Sequence, residues 1–134
     1  MTYLLDTTTF SALMRRAASV RAKISNLTIS DRAVICAVAR GEILYGIERL
    51  PLGKRRRDLE VEAGKIFHQL DCVAVPEEAG DHFAAIKSAT ESRGTPLDEN
   101  DLWIAATALS LNAVLVSTDS DFQRVGVLRL ENWA

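Results

Sequence analysis

Asp98-Glu99-Asn100-Asp101-Leu102-Trp103-Ile104-Ala105-Ala106-Thr107-Ala108-Leu109-Ser110-Leu111-Asn112-Ala113-Val114-Leu115-Val116-Ser117-Thr118-Asp119 decides how this chain folds. No charge lies between Leu102 and Thr118, yet Thr107, Ser110 and Asn112 interrupt the apolar run. It is also shorter than the ~20 residues a membrane span needs. The stretch therefore reads as a helix from Glu99 to Leu111, a turn, and a buried strand from Val114 to Ser117. Pro96-Leu97-Asp98 introduces the helix, with Asp98 able to cap it. A turn follows around Asp119 to Asp121. A short strand without polar alternation is the signature of a parallel sheet covered on both faces.

The same alternation extends outward in both directions. Thr2 to Asp6 is a short strand, followed by helices at Thr7 to Arg16 and Ser19 to Leu27. Ala33 to Cys36 fits a short strand, which Ala-Val-Ile-Cys alone does not settle, and Ala37 to Leu50 is expected as a helix ended by Pro51. Lys54 to Leu70 repeats Leu59, Ala63, Ile66, Phe67 and Leu70 at helical spacing. Cys72 to Val75 follows as a strand, Glu77 to Ser92 as a helix with Gly94 near its end, and Val127 to Leu130 as a closing strand. Strands alternating with helices predict an α/β fold of three layers, with a central, mainly parallel sheet flanked by helices. The 134 residues show no linker or repeat and are expected to form one domain, 1–134.

Hydrophobic residues make up 48% and charged residues 25%, the balance of a folded protein and not of a disordered one. The net charge of −2 provides no general basic field, so a polyanionic substrate must be attracted by local patches or by a metal. Cys36 and Cys72 match no metal-ligand spacing and are expected as reduced, buried thiols. The first six residues have no basic region and reach an acid too early for a signal peptide. A cytoplasmic protein with no membrane role is the expectation.

Four acids spread along the sequence are candidates for one site: Asp6, Glu42, Asp101 and Asp119. Asp6 ends the first strand, where it would serve equally as cap of the next helix. Glu42 has no partner among its helical neighbours Val38, Ala39, Tyr45 and Gly46. Gly41 and Gly46 weaken that helix by roughly 1 kcal/mol each, which predicts close approach of something to its backbone. Asp101 occupies the third helical position, where it would suit the helix dipole. Ala105 and Ala108 on its face point it toward packed sheet. Asp119 follows the apolar strand, and Asp121 is its alternative. Acids gathered in this way repel one another, and a divalent metal relieves that repulsion.

The order and local context of these segments resemble the PIN-domain ribonucleases, and within them the VapC-type toxins of toxin–antitoxin pairs. Tyr3 to Thr7, Ala39 to Gly46, Asp98 to Leu109, Leu115 to Phe122 and Leu128 to Trp133 carry the resemblance in family order. Many relatives have Thr-Asn where this chain has Ser117-Thr118, and the fourth acid shifts between members. The resemblance implies a Mg²⁺- or Mn²⁺-dependent endoribonuclease with catalytic Asp6, Glu42, Asp101 and Asp119. Asp6, Asp101 and Asp119 would hold metal while Glu42 coordinates or orients water. Asp98, Asp121, Thr7 and Thr118 are further candidates. It also implies an RNA substrate such as tRNA or rRNA, a cognate VapB-type antitoxin, and a homodimer.

Arg15, Arg16, Arg55 and Arg56 are candidates for gripping nucleic acid, although a short basic run such as Lys54 to Arg57 also fits a solvated helix start. The apolar face of the first helix, with Phe10, Leu13 and Met14, fits either a partner surface or the core. Competing readings are a receiver-like module, which lacks a Lys at a late strand end, and a phosphatase with Asp-x-Asp, which here has Thr8 at the second position. A PIN-domain nuclease acting in RNA processing or on structured nucleic acid is the remaining alternative.

Overall fold

In the computed structural model, which describes residues 1–134, five parallel strands alternate with six helices. In chain order these are β1 (Thr2–Leu5), α1 (Thr7–Met14), α2 (Ala18–Ser25), β2 (Arg32–Cys36), α3 (Ala37–Glu48), α4 (Lys54–Gln69), β3 (Asp71–Val73), α5 (Ala79–Ser92), α6 (Glu99–Ser110), β4 (Val114–Val116) and β5 (Leu130–Glu131). A 3-10 turn at Ser120–Arg124 links the last two strands. The sheet order is β3-β2-β1-β4-β5. The chain thus builds outward from β1 on one side, then returns to build on the other. That reversal puts a switch point between the ends of β1 and β4, where a crevice opens beyond the strands.

Side chains alternate across the strands and divide the core into two layers. Leu4, Val34, Cys36 and Leu115 face α5 and α6, packing with Ile86, Leu102, Ile104, Ala105 and Ala108. Leu5, Ile35 and Val116 face the other way, against Phe10, Val20, Ile43, Ala63 and Ile66. This is the three-layer arrangement the alternation predicts.

Three boundaries differ from expectation. The first helix stops at Met14, because Arg16 takes a left-handed backbone (φ 59°) and closes the end. The third strand covers only Asp71–Val73, and Cys72 is exposed, not buried, since β3 is an edge strand with one long side open. The last strand forms at Leu130–Glu131 and not at Val127 to Leu130, with Val127 exposed in the turn before it. Gly41 and Gly46 are both exposed, and an added Cβ would meet nothing within 4 Å at either. No other part of this chain makes the expected close approach to their backbone. Phe10 is fully buried, and Leu13 and Met14 pack partly buried on the same cluster, so this face of α1 belongs to the core. No helix is long and apolar enough to cross a membrane.

Candidate active site

Asp6 leaves β1 at the switch point and is only 3% exposed. A buried carboxylate must be satisfied by donors, and three supply it here, two from the start of α1 and one from the end of β4. Asp6 Oδ1 accepts from the Thr9 backbone N–H at 3.0 Å and from Thr8 Oγ1 at 2.7 Å, while Oδ2 accepts from Ser117 Oγ. Asp6 therefore caps α1 and faces the crevice at once. The two roles weighed for it coexist.

Ser117, at the end of β4, joins Asp6 to Asp119: its Oγ donates to Asp6 and accepts from the Asp119 backbone N–H at 2.9 Å. Thr8 repeats this link, accepting at 3.2 Å from the backbone N–H of Thr118. The β1 and β4 ends are thus laced together by hydroxyls. Asp119 in turn caps the 3-10 turn, accepting from Asp121 N–H at 2.9 Å. Asp121 itself is ion-paired with Arg124 at 3.1 Å.

Glu42 reaches the crevice from α3. One oxygen accepts from Thr7 Oγ1 at 2.6 Å and the other from Asn100 Nδ2 at 3.3 Å, so α1 and the start of α6 both hold it. Asp98 caps α6 through the Asn100 backbone N–H. That leaves Asp101, one turn inside, free of the capping role.

Asp101 is half-buried, and its carboxyl is pushed up to about 6. Burial is the largest cause; the charges of Asp119, Asp98, Glu42 and Asp6 follow, in that order. No hydrogen bond or positive charge offsets them. Five acids thus share one field, and none of the five is in an ion pair. Several acids elsewhere are paired: Asp31 with the N-terminus, Asp58 with Lys54, Glu60 with Arg56, Glu62 with Arg16 and Lys65, and Glu99 with Lys87.

As the side chains stand, no three of these carboxylates lie close enough together to ligate one ion. The donor chemistry nevertheless fits a hard divalent cation: carboxylates and hydroxyls, with no thiol or imidazole among them. His68 and His82 lie on α4 and α5.

Ser117, Thr8 and Asn100 are the site residues that sequence reasoning missed. Their roles come from bonds between distant segments, and only the position of Ser117 after an apolar strand could have hinted at them. The basic candidates separate. Arg16 is tied to Glu62 across α1 and α4. Arg56 pairs with Glu60 and donates to the Glu48 and Leu50 carbonyls, closing the end of α3. Arg55 is exposed on α4, and Arg15 is exposed at the end of α1.

Residues 3–128 match the PIN domain family. The chain is 31% identical over 136 residues to ribonuclease VapC1 of Haemophilus influenzae, covering 99% of this chain and 98% of that protein. It is 29% identical to the tRNA(fMet)-specific endonuclease VapC of Shigella flexneri, covering 98% of each. The solved structure of VapBC-1 from nontypeable Haemophilus influenzae superposes with a TM-score of 0.88 at 28% identity, covering 99% of this chain and 98% of that one.

Proposed function

The chain belongs to the PIN domain family, and from that premise we propose that it is a metal-dependent endoribonuclease, the toxin of a VapBC-type toxin–antitoxin pair. The observation that carries this reading is the field of five acids, without an ion pair, at the switch point of a parallel sheet. Full-length similarity to VapC ribonucleases supports the toxin over a processing nuclease that works without an antitoxin.

In this reading Asp6, Asp101 and Asp119 hold Mg²⁺ or Mn²⁺. When bound, the ion lowers the pKa of an attacking water and offsets charge on the phosphate and leaving oxygen. The protein's own residues do the positioning. Asp6, with donors on both oxygens, is fixed in one orientation. Glu42, held between Thr7 and Asn100, orients the water and accepts its proton. The water oxygen bonds to phosphorus, the bond from phosphorus to the 3′ oxygen breaks, and that oxygen takes a proton from solvent. The products carry a 5′-phosphate and a 3′-hydroxyl. Thr118 and Asp98 border the site and complete its polar rim. The substrate class is a structured cellular RNA such as tRNA or rRNA, the protein partner is a cognate VapB-type antitoxin, and the working form is a homodimer.

Cleavage of purified RNA with Mg²⁺ or Mn²⁺, in the presence and absence of EDTA, tests this. The expected result is cutting that stops with the chelator and falls by at least about 100-fold in Asp6→Asn. Cutting that survives both would overturn it. Induction of the chain is expected to arrest growth, with relief on co-expression of the cognate antitoxin.

A further inference from the structure

Beside the acid site lies a cleft of about 460 Å³, between α1, the α1–α2 turn and the loop after β4. That volume falls within the range of sites that hold small ligands or ligand fragments. Thr7, Thr8, Ser11, Ser19 and Thr118 contribute hydroxyls to its wall, Ala134 closes one side, and Arg15 has the only charged side chain lining it. No Asp or Glu side chain lines it. The cleft shares its inner wall with the active site, since Thr7 bonds to Glu42 and Thr8 to Asp6.

Resting on the reading above, we propose that this cleft holds the RNA strand next to the scissile bond, with Arg15 gripping a neighbouring phosphate. Thr7, Ser11 and Arg15 follow one another at intervals of four residues, so they line up along one face of α1. From Thr8 to Arg15 the helix rises about 10 Å, which carries the guanidinium away from the acids and toward the next phosphates of the strand. The left-handed turn at Arg16 separates the two adjacent arginines. Arg16 goes to Glu62 on α4, while Arg15 has no ion pair and stays with the cleft. An acid site that repels RNA needs a cation beside it, and hydroxyls can serve both phosphate and ribose oxygens.

The test is steady-state cleavage of purified tRNA and rRNA with Mg²⁺ at a series of salt concentrations, using wild type, Arg15→Gln, Arg15→Lys and Arg49→Gln. Arg49 is a second exposed arginine, at the end of α3. Arg15→Gln is expected to raise KM roughly tenfold with kcat retained. It should also flatten the slope of log(kcat/KM) against log salt by about 0.7, the share of one phosphate contact on a single strand. Arg15→Lys should restore most of that slope, and Arg49→Gln should match wild type. If wild type cuts and Arg15→Gln keeps its KM and slope, or if Arg49→Gln shifts them equally, the cleft assignment is wrong while the nuclease reading stands. Wild type inert with both Mg²⁺ and Mn²⁺ would instead remove the nuclease reading, and this inference with it.

Discussion

Asp101 is placed against its own electrostatic interest: half-buried, without a hydrogen-bond donor, and facing Asp119, Asp98, Glu42 and Asp6. Its carboxyl titrates near 6 in the fold, against 3.8 ordinarily. The folded protein therefore binds this proton more tightly than the unfolded chain. The protonated form adds stability that is fully present below about pH 4 and is lost as pH rises through about 6. In EDTA, thermal denaturation should show wild type losing stability across that window from this group, while Asp101→Asn loses none there and melts higher at pH 7.5. Equal melting of the two at pH 7.5 would contradict the account. Asp119 and Asp121 are two residues apart but stand in different company. Asp119 is the largest charge acting on Asp101, and Asp121 is neutralised by Arg124. Asp119→Asn should lower cleavage by about 10- to 100-fold, while Asp121→Asn, which breaks an exposed pair, should change it by less than about threefold. The acids were legible in the sequence because each ends a strand or sits on a helix beside apolar residues. Ser117, Thr8 and Asn100 were not, because their meaning lies in bonds such as Ser117 to Asp6, which join positions far apart in the chain.

The elements fall into those that local sequence determines and those it does not. Helices close their bonds within a few residues, so their periodicity was readable. Three of the six, α1, α5 and α6, end with one device. At Arg16, Gly94 and Asn112 the backbone turns left-handed, and the next residue bonds back five positions, Ala17 to Ala12, Thr95 to Thr90 and Ala113 to Ala108. Only Gly94 announced itself. A Cβ there would meet nothing within 4 Å, so Gly94→Ala isolates the backbone cost, expected at about 1 kcal/mol in urea unfolding. An unchanged midpoint would show that the turn is not constrained. The strands were harder, because a strand's limits are set by its neighbour. β5 is reduced to Leu130–Glu131 by its register against Leu115 and Val116, and edge strand β3 leaves Cys72 exposed.

At the scale of the whole molecule, the order β3-β2-β1-β4-β5 creates the site. The alternation of strands and helices predicted a parallel, three-layer fold, but it does not fix which strand stands beside which. The pairing of β1 with β4 brings Asp6 to Asp119, and the packing of α3 and α6 beside them adds Glu42 and Asp101. The molecule accepts a concentration of like charge at one end of its sheet, while several acids elsewhere on its surface are paired with cations. The account requires that a divalent cation belongs there. Mn²⁺ binding to the purified protein, followed by loss of the free-ion paramagnetic resonance signal at pH 7.5, measures this directly. Wild type and Asp121→Asn should take up Mn²⁺, and Asp101→Asn and Asp119→Asn should bind it at least about tenfold more weakly, with wild-type uptake fading as pH falls below about 6. Free Mn²⁺ undiminished by wild type, or uptake untouched by Asp101→Asn and Asp119→Asn, would contradict it.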